Sequence, residues 1–175
     1  MNRNSALVLI DAQVNMFAEG GSVFEGEKLL ETLKQLLVRA RSARLTVVYV
    51  QNNGGEGDPD MPGTQGWQIH PALAPEAGDL IIQKHTPDSF LETNLQSLLA
   101  ARQIKHLVIA GMQTEMCIEA TCRQAQRLGY EVTLVKDAHG TFDGSKQTAA
   151  QIIARYNEEL SEVATLEEAG SLRFE

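Results

Sequence analysis

Five short apolar runs, separated by stretches of helical periodicity, constrain this chain more than any other feature. "ALVLI" (6–10), "LTVVYV" (45–50), "DLIIQ" (79–83), "HLVIA" (106–110) and "EVTLV" (131–135) are nearly continuous and rich in branched residues. Such runs suit strands buried on both faces, because a half-solvated strand would alternate apolar and polar residues. Between them lie the amphipathic segments "GEKLLETLKQLLVRARSA", "ETNLQSLLAARQ", "CIEATCRQAQRL" and "KQTAAQIIARYNEEL". Alternation of this kind predicts an α/β fold, a parallel sheet covered by helices. A weaker run, "EVATL" (162–166), is expected to close one edge.

With 175 residues the chain is expected to form one domain, 1–175, around a single core. Its 43% hydrophobic and 22% charged content argue against disorder and against a fibrous repeat. The net charge of −8, with scattered Lys and Arg, argues against a nucleic-acid partner. No apolar run approaches the roughly 18 residues of a membrane span, and the first residues lack a signal-peptide core. No membrane partner and a cytoplasmic location are therefore expected. Cys117 and Cys122, five apart on one expected helix, project about 140° from each other and are expected to remain reduced thiols.

In open parallel sheets, ligands bind beyond the carboxyl ends of the strands, where strand order reverses. Asp11 ends the first strand in "LVLIDAQ", Lys84 ends the third in "LIIQKHTPDSF", and Cys117 follows the fourth in "GMQTEMC". Each has an ordinary reading: an Asp there forms turns, a Lys at an edge is solvated, and a lone Cys packs as a small hydrophobe. Together they form a chemical set. A helix N-terminus and a nearby cation both lower a thiol's pKa, and Cys117 is placed for both. With Thr114 as N-cap, the amides of Met116 and Cys117 would lack intrahelical acceptors and could hold an oxyanion. Asp11 would act as the base, with Lys84 orienting it and stabilising the thiolate. If the third strand lies two places from the first, Lys84 must lean across about 10 Å to reach them.

The long segment 52–78, "NNGGEGDPDMPGTQGWQIHPALAPEAG", is rich in Gly and Pro. A loop of this length is either a functional wall or a mobile surface segment. Its Trp67 and His70 favour a wall, although Trp67 equally suits a core anchor. Gln13, Phe17, Asn52, Asn53, Trp67, His70 and Gln113 are candidate pocket residues, because they flank the triad segments or lie in this loop. Glu115 and Glu119, near Cys117, would disfavour anionic substrates.

The segments "LVLIDAQVNMF" (7–17), "QKHTPDSF" (83–90) and "AGMQTEMCIEATCRQAQRLGYEVTLVKDA" (110–138) resemble, in order and over almost the whole chain, the isochorismatase-like cysteine hydrolases. That superfamily includes nicotinamidases, carbamoylases and related amidases. The resemblance implies a three-layer α/β/α, Rossmann-like fold with a six-stranded, mostly parallel sheet in the order 3-2-1-4-5-6. It implies an Asp-Lys-Cys triad at Asp11, Lys84 and Cys117, a cis peptide joining Met112 to Gln113, and a homo-oligomer. Nicotinamidases carry an Asp-x-His pair after the second strand and a further His as metal ligands. Here the corresponding stretch is "VQNNGGEGD" and only His70 remains, so neither metal nor other cofactor is expected. Isochorismatases that cleave a vinyl ether can lack the Cys. Retaining Cys117 favours cleavage of a C–N amide or lactam bond in a small molecule through a thioester. Ether hydrolysis by Asp11 and Lys84, and a non-enzymatic thiol sensor, are the alternatives.

Overall fold

The computed structural model describes residues 4–174. Its strands are β1 Ser5–Ile10, β2 Thr46–Asn52, β3 Leu80–Lys84, β4 His106–Met112, β5 Glu131–Gly140 and β6 Thr165–Glu167. All pair in parallel, in the order β3-β2-β1-β4-β5-β6. The chain thus winds outwards from β1 in one direction, then returns to β4 and winds outwards in the other. The reversal falls between β1 and β4.

Helices α1 Gly26–Ser42, α2 Leu95–Ala101, α3 Glu119–Arg127 and α4 Ala149–Leu160 cover the sheet. The period of two along a strand decides which residue meets which helix. Leu7 and Leu9 of β1 pack with Leu29, Leu33, Leu36 and Leu37 of α1. Ala6, Val8 and Ile10 pack on the opposite face with Leu95 and Leu99 of α2, Cys122 and Ala125 of α3, and Leu160 of α4. Both faces of β1 are fully covered, which is why its sequence shows no polar alternation. Helix α4 opens with a capping box, Thr148 accepting from the Gln151 amide while the Gln151 side chain accepts from the Thr148 amide.

Strand β5 runs five residues beyond the "EVTLV" segment, because after a register shift between Ile109 and Gly111 the residues His139 and Gly140 pair again with Gly111 and Met112 of β4. Gly111 lies at this shift with φ 123°, a conformation side chains disfavour. A Cβ there would overlap the backbone of Ile10, its partner on β1. Gly111→Ala is therefore expected to cost about 3 kcal/mol or more, read as a lower urea midpoint at unchanged m-value. An unchanged midpoint would mean that the two strands can separate locally at little cost.

Among the described residues, no helix is long and apolar enough to cross a membrane. Both cysteines are free and buried.

Candidate active site

Asp11 is the first residue after β1. Its amide still donates to Val50 O of β2 at 2.8 Å, but its φ of 50° turns the chain out of the strand. Aspartate tolerates this left-handed conformation better than most residues do. Lys84 is the last residue of β3, two strands away, and is completely buried. Its stem crosses the end of β2, so that Nζ donates to Asp11 Oδ2 at 3.3 Å, Asn52 Oδ1 at 2.9 Å and Cys117 Sγ at 3.2 Å. Asp11 Oδ1 also lies 3.3 Å from Nζ, but has no hydrogen-bond partner. The three triad candidates thus converge on one ammonium group, with Asn52 as a third acceptor.

The segment bearing Cys117 differs from the expected helix start. The Met112–Gln113 peptide bond is cis, and the first turn, Thr114–Ile118, is π-helical. Gln113 rather than Thr114 occupies the N-cap position, without a side-chain cap bond. A π turn lets the Ile118 amide reach back to Gln113 O at 3.1 Å. The Thr114 side chain points into the protein, its Oγ1 2.9 Å from His139 Nδ1, while His139 Nε2 lies 2.9 Å from Asn157 Oδ1. Asn157 Nδ2 donates to Lys136 O, which leaves its Oδ1 to accept from His139 Nε2–H and His139 Nδ1 to accept from the Thr114 hydroxyl. Burial lowers the His139 pKa, consistent with this neutral ring. Of the two amides expected to hold an oxyanion, that of Met116 is engaged with Gln113 O at 3.2 Å, so Thr114 capping does not free it.

The proton inventory also differs from expectation. Burial, with the Asp11 carboxylate next, pushes the Cys117 thiol up to about 12, outweighing Lys84, which pulls it down. Burial likewise raises Asp11 above the usual carboxylate range, with Lys84 opposing. A helix end and a cation do not produce a resting thiolate here, because the thiol is only 9% exposed and faces a carboxylate. The resting group is a thiol, and an isolated thiolate at neutral pH would cost several kcal/mol. Moving the proton from Sγ to Asp11 is a smaller step. It shifts one negative charge between two groups that lie 3.2 and 3.3 Å from the same ammonium, so the net charge of the cluster does not change.

A cleft of about 390 Å³ opens above these groups, lined by Asp11 and Cys117. Of the candidate pocket residues, Asn52 and Gln113 line it. Gln13, Phe17, Asn53, Trp67 and His70 do not. Gln13 is buried and ties the loop to the sheet, exchanging hydrogen bonds with the Asn52 backbone at 2.9 and 2.8 Å and donating to Trp67 O at 3.0 Å. Trp67 Nε1 donates to Asn53 Oδ1 at 2.8 Å. His70 caps its own turn, accepting from the Ala72 amide, and meets Phe17 edge to face at 5.3 Å between ring centroids. Glu115 accepts from the Thr141 hydroxyl at 2.8 Å and Glu119 pairs with Arg123 at 3.0 Å, and neither lines the cleft.

The loop does supply a wall, but through Asp58, Pro59 and Asp60, with Asn15 and His85 from other segments. Asp60, only 9% exposed, accepts from Asn52 Nδ2 at 2.7 Å, which fixes the Asn52 amide with its oxygen towards Lys84. The chain Asp60–Asn52–Lys84 was not readable from sequence. Its one signal, an Asp in a Gly/Pro-rich loop, is also that of an ordinary turn. Among the described residues, no three His, Cys, Asp or Glu side chains are grouped to hold a metal ion.

The sequence matches the model of the isochorismatase domain over residues 5–168. Over 138 residues it is 38% identical to a streptothricin hydrolase of Streptomyces noursei, a match covering 79% of this chain and 50% of that protein. The chain thus spans about half the length of that relative. It is 30% identical over 173 residues to the ureidoacrylate amidohydrolase RutB of Caulobacter vibrioides, covering 78% of this chain and 76% of that one. The crystal structure of N-carbamoylsarcosine amidase from Thermoplasma acidophilum superimposes with a TM-score of 0.83 at 25% identity, covering 97% and 99% of the two chains. Sheet order, the placement of the three converging side chains at the strand reversal, and these matches agree: the chain belongs to the isochorismatase family of hydrolases.

Proposed function

We propose that the protein is a metal-independent amidohydrolase that cleaves a C–N amide or lactam bond of a small molecule through a Cys117 thioester. The observation that carries this reading is the contact of Lys84 Nζ with both Asp11 and Cys117 Sγ at the floor of the cleft. One relative named an amidohydrolase and one structural neighbour named an amidase support the bond class, and a second relative is named a hydrolase.

The substrate carbonyl carbon meets Sγ as the thiol proton passes to Asp11, so no free thiolate accumulates. Lys84 stays in contact with both groups while charge moves from the carboxylate to the sulfur and then to the carbonyl oxygen. The oxyanion is held by backbone amides of the turn, that of Cys117 and, on loosening its 3.2 Å bond to Gln113 O, that of Met116. The C–N bond breaks as Asp11 returns its proton to nitrogen. A water then attacks the thioester and gives a proton to Asp11. As the C–S bond breaks, that proton returns to sulfur, restoring the resting thiol.

Ammonia or amine release from a panel of small amides and lactams, run beside isochorismate, tests the reaction class. Turnover confined to C–N substrates is expected, whereas isochorismate turnover with inert amides would replace this reading with ether hydrolysis.

A further inference from the structure

We propose that His139 is a positioning residue for Cys117, acting through Thr114 to set the direction of the π turn that carries the thiol. This rests on the amidase reading for the chemistry, whereas the hold on the turn is a matter of structure.

The turn does not fix its own direction. Its N-cap residue Gln113 makes no side-chain cap bond, and the amides of Met116 and Ile118 both lean on the one Gln113 carbonyl, at 3.2 and 3.1 Å. Such turns are wider and rarer than α-helical ones, so a single stable direction calls for ties from outside. The end of β5 supplies them. His139 and Gly140 pair with Gly111 and Met112, the last two residues of β4, and His139 Nδ1 comes to 2.9 Å from Thr114 Oγ1. Thr141, just beyond the strand, donates to Glu115 at 2.8 Å. Two consecutive residues of the turn are thus held from one strand end.

The tie at Thr114 has one arrangement. Asn157 on α4 gives its Nδ2 to Lys136 O at 3.1 Å, which turns its Oδ1 towards His139 Nε2 at 2.9 Å. That nitrogen then carries the proton, so Nδ1 accepts and the Thr114 hydroxyl donates. Thr114 is completely buried and His139 is 4% exposed, so neither group has water as an alternative partner.

Thr114 precedes Cys117 by three residues, within the same turn. A rotation of that turn would carry Sγ away from its 3.2 Å contact with Lys84 Nζ, and a misplacement of about 1 Å at a reacting group can cost on the order of 10²-fold in rate. A buried histidine that merely filled the core would affect stability and leave the kcat of the folded molecules unchanged.

The test compares Thr114→Val, which keeps the shape of the side chain without its hydroxyl, with Thr114→Ser, which keeps the hydroxyl. On the fastest-cleaved amide of the panel, Thr114→Val is expected to lower kcat at least about tenfold with KM within about threefold, and Thr114→Ser to recover most of the loss. Native-state hydrogen exchange gives a readout that needs no turnover. In Thr114→Val the Ile118 amide should exchange at least about tenfold faster, while the Val108 amide in the middle of β4 changes by less than about threefold. Asn157→Ala leaves the turn's own sequence intact and opens His139 Nε2 to a separate cavity of about 300 Å³ that both residues line. It should move both readouts in the same direction, so the test stands even where Thr114→Val fails to fold. An unchanged kcat, a loss confined to KM, a loss that Thr114→Ser does not recover, or equal acceleration at the two amides overturns the proposal. A wild-type protein that turns over no amide would sink the amidase reading, and exchange of the Ile118 amide would still decide whether His139 holds the turn.

Discussion

Cys117→Ala is expected to lower kcat/KM for amides by about 10⁴-fold or more, since removing the nucleophile of a covalent hydrolase leaves only binding and oxyanion stabilisation. The fold should survive. Cys117 contributes one sulfur atom at the edge of the apolar layer that α2, α3 and α4 place on the sheet, so truncation is expected to cost about 1 kcal/mol. Cys122→Ala is the matched control. It is fully buried five residues later in the same layer, away from Lys84 and Asp11, and burial pushes its thiol up to about 12 as well. Its loss should change kcat/KM by no more than about threefold, although its deeper burial makes it the more destabilising change. Comparable activity losses in the two variants would mean that packing, not chemistry, explains the effect.

Lys84→Met is expected to lower both activity and stability. Methionine approximates the lysine stem, so packing around the crossing of β2 is largely retained. The ammonium, which serves Asp11, Asn52 and Cys117 at once, is lost. A buried carboxylate would remain without its partner, which costs about 3–5 kcal/mol unless it takes up a proton. Because protonation relieves that cost, the destabilisation should be larger at pH 8 than at pH 5. Adding Asp11→Asn removes the orphaned charge and should recover most of the stability by urea denaturation. It should recover none of the activity, since the base is gone; kcat/KM in either variant is expected to fall about 10³-fold or more. Recovery of activity in the double variant would show that Lys84 serves only to neutralise Asp11.

The β-branched runs made the strands legible, because a strand covered on both faces has nowhere to show polar alternation. They also showed where Asp11, Lys84 and Cys117 would sit along the chain. What made Lys84 plausible as a partner, its reach across β2, follows from strand order. The far half of β5 was hidden because Lys136 and Asp137 interrupt its apolar pattern before His139 and Gly140 resume pairing with β4. The π turn was hidden because its apolar residues fall as they would in an α-helix. The direction of the Cys117 shift was misread because burial, which dominates it, is a property of the assembled fold. Loop residues chosen by type divided according to their partners. Trp67, His70 and Gln13 tie the loop to itself and to the sheet, whereas Asp60, which carries no distinctive signal, is buried at the cleft.

Intact-mass spectrometry of the protein, quenched in acid within seconds of mixing with a turned-over amide, tests the thioester most directly. The expected spectrum contains a species heavier by the acyl group of that substrate, mapped to Cys117 by peptide analysis and absent from Cys117→Ala. It should disappear under hydroxylamine, as a thioester does. Undiminished amide turnover by Cys117→Ala, or an acyl adduct on a residue other than Cys117, would contradict the mechanism.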